Sequence, residues 1–197
     1  MLVGILSGIH GNLEGLEAVL SECDERELDE INCLGDVVGY GAHPVACLDL
    51  VRRWAAFTCA GNHDWAASGR ITTNGFNPMA VKAITWTRSQ LAREDLRDLS
   101  TLPLSEHRDD ALFVHASLNA PESFHYVSGA SEAFIALGHT DAQLTFLGHS
   151  YGAFVYEEGV GEVLLVEGEI VLDGASRGMV THGRRSVFGI KKPGRLS

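Results

Sequence analysis

A chain of 197 residues, 45% hydrophobic, is long enough to bury a full core in one domain. No stretch approaches the roughly 18 apolar residues of a membrane span, and Met1–Leu6 lacks the basic start and long apolar region of a signal peptide, so the expected location is cytoplasmic. The net charge of −11 divides into +6 for residues 174–197 and −17 for residues 1–173, and so acidic a body disfavours a polyanionic duplex as partner, because phosphate contacts need Lys and Arg.

Short apolar runs bounded by glycine read as buried strands, and apolar residues recurring three and four apart read as helices. Leu2–Leu6 is the first strand. Asn12 is a good N-cap, and Leu13, Leu16 and Leu20 give the stripe of a helix ending near Asp24. Ile31–Leu34 follows as a strand, Pro44–Arg53 as the second helix and Phe57–Ala60 as a third strand. Asn77-Pro78 sets an N-cap before proline at the first helical position, opening a helix through Leu91. Glu94–Leu99 adds a helical turn, and Pro103 starts the next segment. The pattern then turns to strands at Ala111–Val114, Leu144–Leu147, Ala153–Tyr156, Glu162–Val166 and Glu169–Leu172, interrupted by a helix at Ala130–Leu137. With no internal repeat, low-complexity segment or linker, the expectation is one domain over residues 1–173 and a basic C-terminal segment over 174–197. That segment reads as a solvated terminus partly docked on the acidic body, or as a phosphate-steering strap or nucleic-acid arm. Cys23, Cys33, Cys47 and Cys59 form no C-x-x-C pair and read as reduced, buried thiols.

The turns that end these strands carry the chemistry. Ser7-Gly8-Ile9-His10-Gly11-Asn12 follows the first strand, Gly35-Asp36 the second and Gly61-Asn62-His63-Asp64 the third. His115 follows Leu112–Val114, and Gly148-His149 follows Leu144–Leu147. Ligands in strand-based α/β folds collect at the carboxyl ends of strands, and the side chains there are N and O donors suited to a metal. A single buried histidine is usually a satisfied core residue. Five coincident strand ends point instead to a metal site assembled from distant segments.

The order His-Gly-Asn, Gly-Asp-x-x-Gly-Tyr-Gly, Gly-Asn-His-Asp, Val-His, Gly-His spans roughly residues 2–157. It resembles the calcineurin-like metallophosphoesterase superfamily, and within it the small prokaryotic phosphodiesterase or diadenosine-tetraphosphatase-like branch. The resemblance implies an α/β fold, a four-layer α-β-β-α sandwich with two metals between the sheets, about 3.5–4 Å apart as in other two-metal hydrolases. It makes Asp36 the bridging carboxylate, completes a second site with Asn62, His115 and His149, and leaves His10 with Asp36 at the first. Gly8 stands where the first site's Asp belongs and Tyr151 where its last His belongs. One tight site and one weak or empty site are therefore expected, for Mn, Fe, Zn, Ni or Co, with Tyr151 either a ligand or a packed side chain. Gly8 is expected to leave room for water.

By the same resemblance His63 is the catalytic histidine, contacting the phosphate and helping the leaving group depart. Asp64 either orients the His63 imidazole or stabilises the turn. The loop Asn119–Val127, with Phe124, His125 and Tyr126, either overhangs the site as a recognition flap or packs on the body. Tyr40 is not assigned to the metal, Gly138-His139 reads as a helix C-terminus, and His43, His107 and His182 default to the surface. A second departure from the branch is Asp173-Gly174-Ala175-Ser176-Arg177-Gly178, which keeps only a Ser and a Gly of the usual closing segment. The function implied is a metal-dependent phosphoesterase, a phosphodiesterase acting on a phosphate ester or nucleotide. Two alternatives stand: a degenerate member that binds a metal, nucleotide or protein without turnover, and an enzyme of altered chemistry using Tyr151. Oligomeric state is not legible.

Overall fold

Two sheets face one another because their strands alternate between two apolar destinations. The computed structural model describes residues 2–150, 154–158, 161–163 and 178–181. In the first sheet β1 (Val3–Leu6) and β2 (Glu30–Cys33) pair in parallel, Val3 opposite Glu30 and Leu6 opposite Cys33. The second sheet contains β3 (Ser105–Arg108), β4 (Ala111–Val114), β5 (Leu144–Leu147), β6 (Phe154–Glu157), β7 (Gly161–Val163) and β8 (Gly178–Thr181). Its spatial order is β3-β4-β5-β8-β6-β7, with β4, β5 and β8 parallel and β3, β6 and β7 antiparallel to their neighbours.

Val3, Ile5, Leu34 and Cys59 meet Phe113, Phe146, Val155 and Val180 between the sheets. The opposite faces are covered by helices: α1 (Leu13–Glu25), α2 (Pro44–Trp54), α3 (Asn62–Ser68), α4 (Pro78–Gln90), α5 (Arg93–Thr101) and α6 (Ala130–Leu137). Leu6, Ile31 and Cys33 pack against Leu16, Leu20, Leu48, Val51, Ile84 and Leu99 of α1, α2, α4 and α5. Val114, Leu147, Tyr156 and Met179 pack on Ala133, Ala136 and Leu137 of α6. Helix, sheet, sheet and helix follow in that order, which is the four-layer sandwich the sequence implied. Asn77 caps α4 as expected, its side chain accepting from the Ala80 N–H at 2.9 Å. Among the described residues no helix is long and apolar enough to cross a membrane.

Four elements depart from the sequence reading. Phe57–Ala60 is not a strand but a single parallel bridge, Thr58 to Cys33, at the edge of the first sheet. Asn62–Ser68, read as part of a turn, is α3, started by the Asp64 carboxylate reaching back to the Gly61 N–H at 3.0 Å. β3 is a polar edge strand with the sequence Ser-Glu-His-Arg, and charged edges of this kind carry no alternating apolar signal. β8 is four residues inside the 174–197 segment, yet it lies between β5 and β6. The expected strand at Glu169–Leu172, along with Tyr151, His182 and residues 173–177, lies outside the described residues.

Candidate metal centre

The loops that follow β1 and β2 are zipped together by their backbones: His10 N–H donates to the Asp36 carbonyl and Gly11 N–H to the Val37 carbonyl, both at 2.8 Å. His10, Asp36 and His149 each turn through the left-handed region, with φ of 53°, 55° and 60°. A non-glycine residue there costs on the order of 1–3 kcal/mol and persists only where its surroundings enforce it. Such a turn redirects the chain at the strand end, and three of the residues singled out from sequence make it.

Asp36 is the hub. Its Oδ1 accepts the His63 backbone N–H at 2.9 Å, and its Oδ2 lies 3.3 Å from His115 Nε2 and 3.6 Å from His10 Nε2. His115 Nδ1 lies 2.6 Å from the Leu34 carbonyl, so that nitrogen carries the hydrogen and Nε2 faces the site. His149 Nδ1 sits 3.2 Å from His115 Nε2. Burial works to raise the Asp36 pKa, but His115, His10 and His63 around it together hold it below the usual carboxylate range. Burial likewise opposes charge on His115, and the Asp36 carboxylate outweighs it and raises the imidazole. His63 and His149, where burial dominates, are both lowered to about 4.

The donor atoms of Asp36, His115 and His149 all lie within 4.8 Å of one another, and so do those of His10, Asp36 and His63. Asn62 Oδ1 is buried without a hydrogen-bond partner, and its chain neighbours Gly61 and His63 both approach Asp36. Gly61 is required there, since any Cβ would collide with the Asp36 carboxylate and backbone N. Two imidazoles, one carboxylate and an unpartnered carboxamide oxygen fit a divalent transition metal. Beside His10 the situation differs. Among the described residues, a Cβ added to Gly8 would meet nothing nearer than His10 Cδ2 and Nε2 at 3.9 Å, and the carboxylate that the resemblance places there is absent.

Asp64 does not orient the His63 ring. Its Oδ2 accepts from Asp36 N at 2.7 Å and Gly61 N at 3.0 Å, and its Oδ1 accepts from Val38 N at 3.1 Å. The physical reason is its place as third residue of α3, from which a carboxylate reaches back over the helix start. Burial and the neighbouring Asp36 carboxylate raise Asp64 to about 7, against the pull of the N–H groups of Val38 and Gly61.

The rim is aromatic. His63 meets Tyr40, His10 and Phe76 at ring-centroid distances of 4.8, 4.7 and 5.3 Å, and Tyr40 is 42% exposed. The sequence reading set Tyr40 aside and missed Phe76; the Gly-Tyr-Gly turn that begins three residues after Asp36 was the available signal for Tyr40. Of the loop aromatics, Phe124 is buried against Trp65 and His115, whereas the exposed Tyr126 stacks on His149 at 3.9 Å and 19°. His43 and His107 are exposed, and His139 follows the C-terminus of α6.

The profile of the calcineurin-like phosphoesterase family matches residues 1–170. An uncharacterized protein of Methanocaldococcus jannaschii is 35% identical over 186 residues, covering 92% of this chain and 75% of that one. The crystal structure of a metallophosphoesterase from Sphaerobacter thermophilus superposes with a TM-score of 0.80 at 37% identity, over 94% of this chain and 77% of the other. A hypothetical protein from Pyrococcus horikoshii OT3 shares the fold at a TM-score of 0.74 and 15% identity, over 93% and 77% of the two chains.

Proposed function

The chain belongs to the calcineurin-like phosphoesterase family, and on that premise we propose that it hydrolyses a phosphodiester with a divalent transition metal held by Asp36, Asn62, His115 and His149. The observation that carries this reading is the convergence of Asp36, His115 and His149, and a buried, unpartnered Asn62 oxygen on the residue between Gly61 and His63, which both approach Asp36, supports it. When bound, the cation supplies Lewis acidity toward a phosphoryl oxygen and lowers the pKa of a coordinated water toward about 7.

The protein supplies the rest. The Leu34 carbonyl fixes the His115 ring, and the His63 N–H fixes Asp36 Oδ1, leaving Oδ2 facing the histidines. His63 is neutral at pH 7, because burial lowers it to about 4, and its imidazole offers one N–H to a phosphoryl or leaving oxygen. An anionic substrate beside it favours the protonated ring and draws that pKa back up. Asp64 acts as a positioning residue, tying Asp36, Val38 and Gly61 into one frame. Tyr40, Phe76 and Tyr126 around the opening suit a leaving group with a flat face, such as a nucleotide.

The test is hydrolysis of bis-p-nitrophenyl phosphate by metal-stripped protein titrated with Mn²⁺, Ni²⁺, Zn²⁺ or Co²⁺. Saturable turnover is expected, falling on the order of 100-fold or more in Asp36→Asn. The absence of a carboxylate at Gly8 favours a second reading, a member that binds a metal or nucleotide without turnover. Folded protein inactive with every metal would establish it.

A further inference from the structure

We propose that residues 117–127 brace the tight metal site, with Phe124 and Tyr126 as positioning residues that hold the His115 and His149 imidazoles ready for an ion. This rests on the metal-dependent reading and adds to it residues outside the ligand set. The segment is tied down beside each histidine. Two residues after His115, the Ser117 N–H donates to the His125 carbonyl at 3.0 Å. Directly after His149, Ser150 Oγ accepts the Val127 N–H at 3.2 Å and donates to the Val127 carbonyl at 2.5 Å. Ser117, Val127 and Ser150 are all buried, so water does not compete for these bonds.

Between these ties the chain sets one aromatic ring on each imidazole. Phe124 meets His115 with ring centroids 5.9 Å apart at 71°, and is itself wedged against Trp65 at 5.6 Å and 87°. It does so from the left-handed region, φ 51°, which a bulky residue keeps only where its packing enforces it. Its backbone also hydrogen-bonds the His149 ring. Tyr126 lies flat on His149, 3.9 Å away at 19°. His149 needs this support more than His115 does. The Leu34 carbonyl already fixes the His115 ring at 2.6 Å. His149 shares a 3.2 Å contact with His115 Nε2 instead, and an ion held by both rings displaces the hydrogen between them. What then remains on the His149 ring is the Phe124 backbone and the face of Tyr126. Groups that orient a ligand in this way account for roughly 10- to 100-fold in metal affinity.

The experiment is titration of chelator-stripped protein with Co²⁺, followed by calorimetry for affinity and by visible absorption for the ligand field. Tyr126→Ala should weaken the tight ion by about tenfold or more and shift its absorption band, whereas Tyr126→Phe, which keeps the stacked ring, should retain both. Ser150→Ala, which cuts both bonds to Val127, should weaken the ion in the same direction. In metal-free protein the His149 ring protons, read by nuclear magnetic resonance, should move downfield in Tyr126→Ala and stay in place in Tyr126→Phe. Thermal melts establish that each variant is folded. If Tyr126→Ala binds Co²⁺ with unaltered affinity and band, or Tyr126→Phe loses as much as Tyr126→Ala, the proposal falls and the metal-dependent function stands. If the unsubstituted protein binds no Co²⁺, both fall.

Discussion

Asp36 draws part of its geometry from a neighbour that has no side chain at all. Gly61 lies so close to it that a methyl group cannot be accommodated, so Gly61→Ala should lower Co²⁺ affinity at the tight site by at least roughly tenfold, read by calorimetry, while costing about 1–3 kcal/mol of stability. Gly8 shows the opposite balance. Among the described residues a Cβ there meets nothing nearer than 3.9 Å, but its φ of +62° is a backbone conformation that aspartate tolerates only with strain. Gly8→Asp should therefore lower stability by about 1 kcal/mol in metal-free protein and recover it when Co²⁺ is added, a difference that thermal melts with and without the ion will show. Asp64→Asn replaces an acceptor of three backbone N–H groups with an amide, and urea denaturation should show a loss of about 2–3 kcal/mol. The nearness of His10, His115 and His149 to Asp36 was legible because each of the four follows a short apolar run, and a strand end is where a donor has use. The work of Asp64 was not, because two of its donors lie 28 and 26 positions away.

Helices with strong local signals were read closely, and elements defined by tertiary contact were not. Asn77-Pro78 announces α4 by cap and proline, and Asn77→Ala should cost about 1 kcal/mol in urea denaturation for the loss of its bond to Ala80. The seven residues of α3 are too few to show a helical period, and Gly61-Asn62-His63-Asp64 has turn-like composition. Phe57–Ala60 has the composition of a strand, but among the described residues its one bridge is Thr58 to Cys33 at the end of β2. Between α2 and α5, Arg52 reaches the buried Asp95 at 2.9 Å and the exposed Asp98 at 2.8 Å. The exposed pair contributes less than about 1 kcal/mol, so that contact orients the helices more than it stabilises them.

At the scale of the whole molecule, the order of the second sheet makes a late segment central. A chain ending at residue 173 would lack β8, exposing the edges of β5 and β6 that it joins, and should show no cooperative melt by circular dichroism. β8 escaped the sequence reading because the basic character of residues 174–197 suggested a solvated end, while its Met179 and Val180 are fully buried. The four cysteines report on the same core. All are free and buried, and burial raises their thiols, to about 11 for Cys47 and about 12 for Cys59. For Cys47 and Cys59 the stabilising effect is complete below the unfolded value of about 8.5 and is lost as pH rises toward the folded values, by up to about 1.4 kcal/mol per pH unit for each thiol. Urea midpoints measured under reducing conditions should fall steeply from pH 8 to pH 10, and less steeply in Cys59→Val. The donors around Asp36 come from positions 10 to 149, and one of the bonds that fix them, His115 to Leu34, spans 81 positions. No growing chain that stops short of residue 149 can offer an ion its full set of partners. Selection among competing ions is thus postponed until most of the domain has been made, and the ion pool around the folded molecule, rather than any early step of its assembly, decides which one it takes.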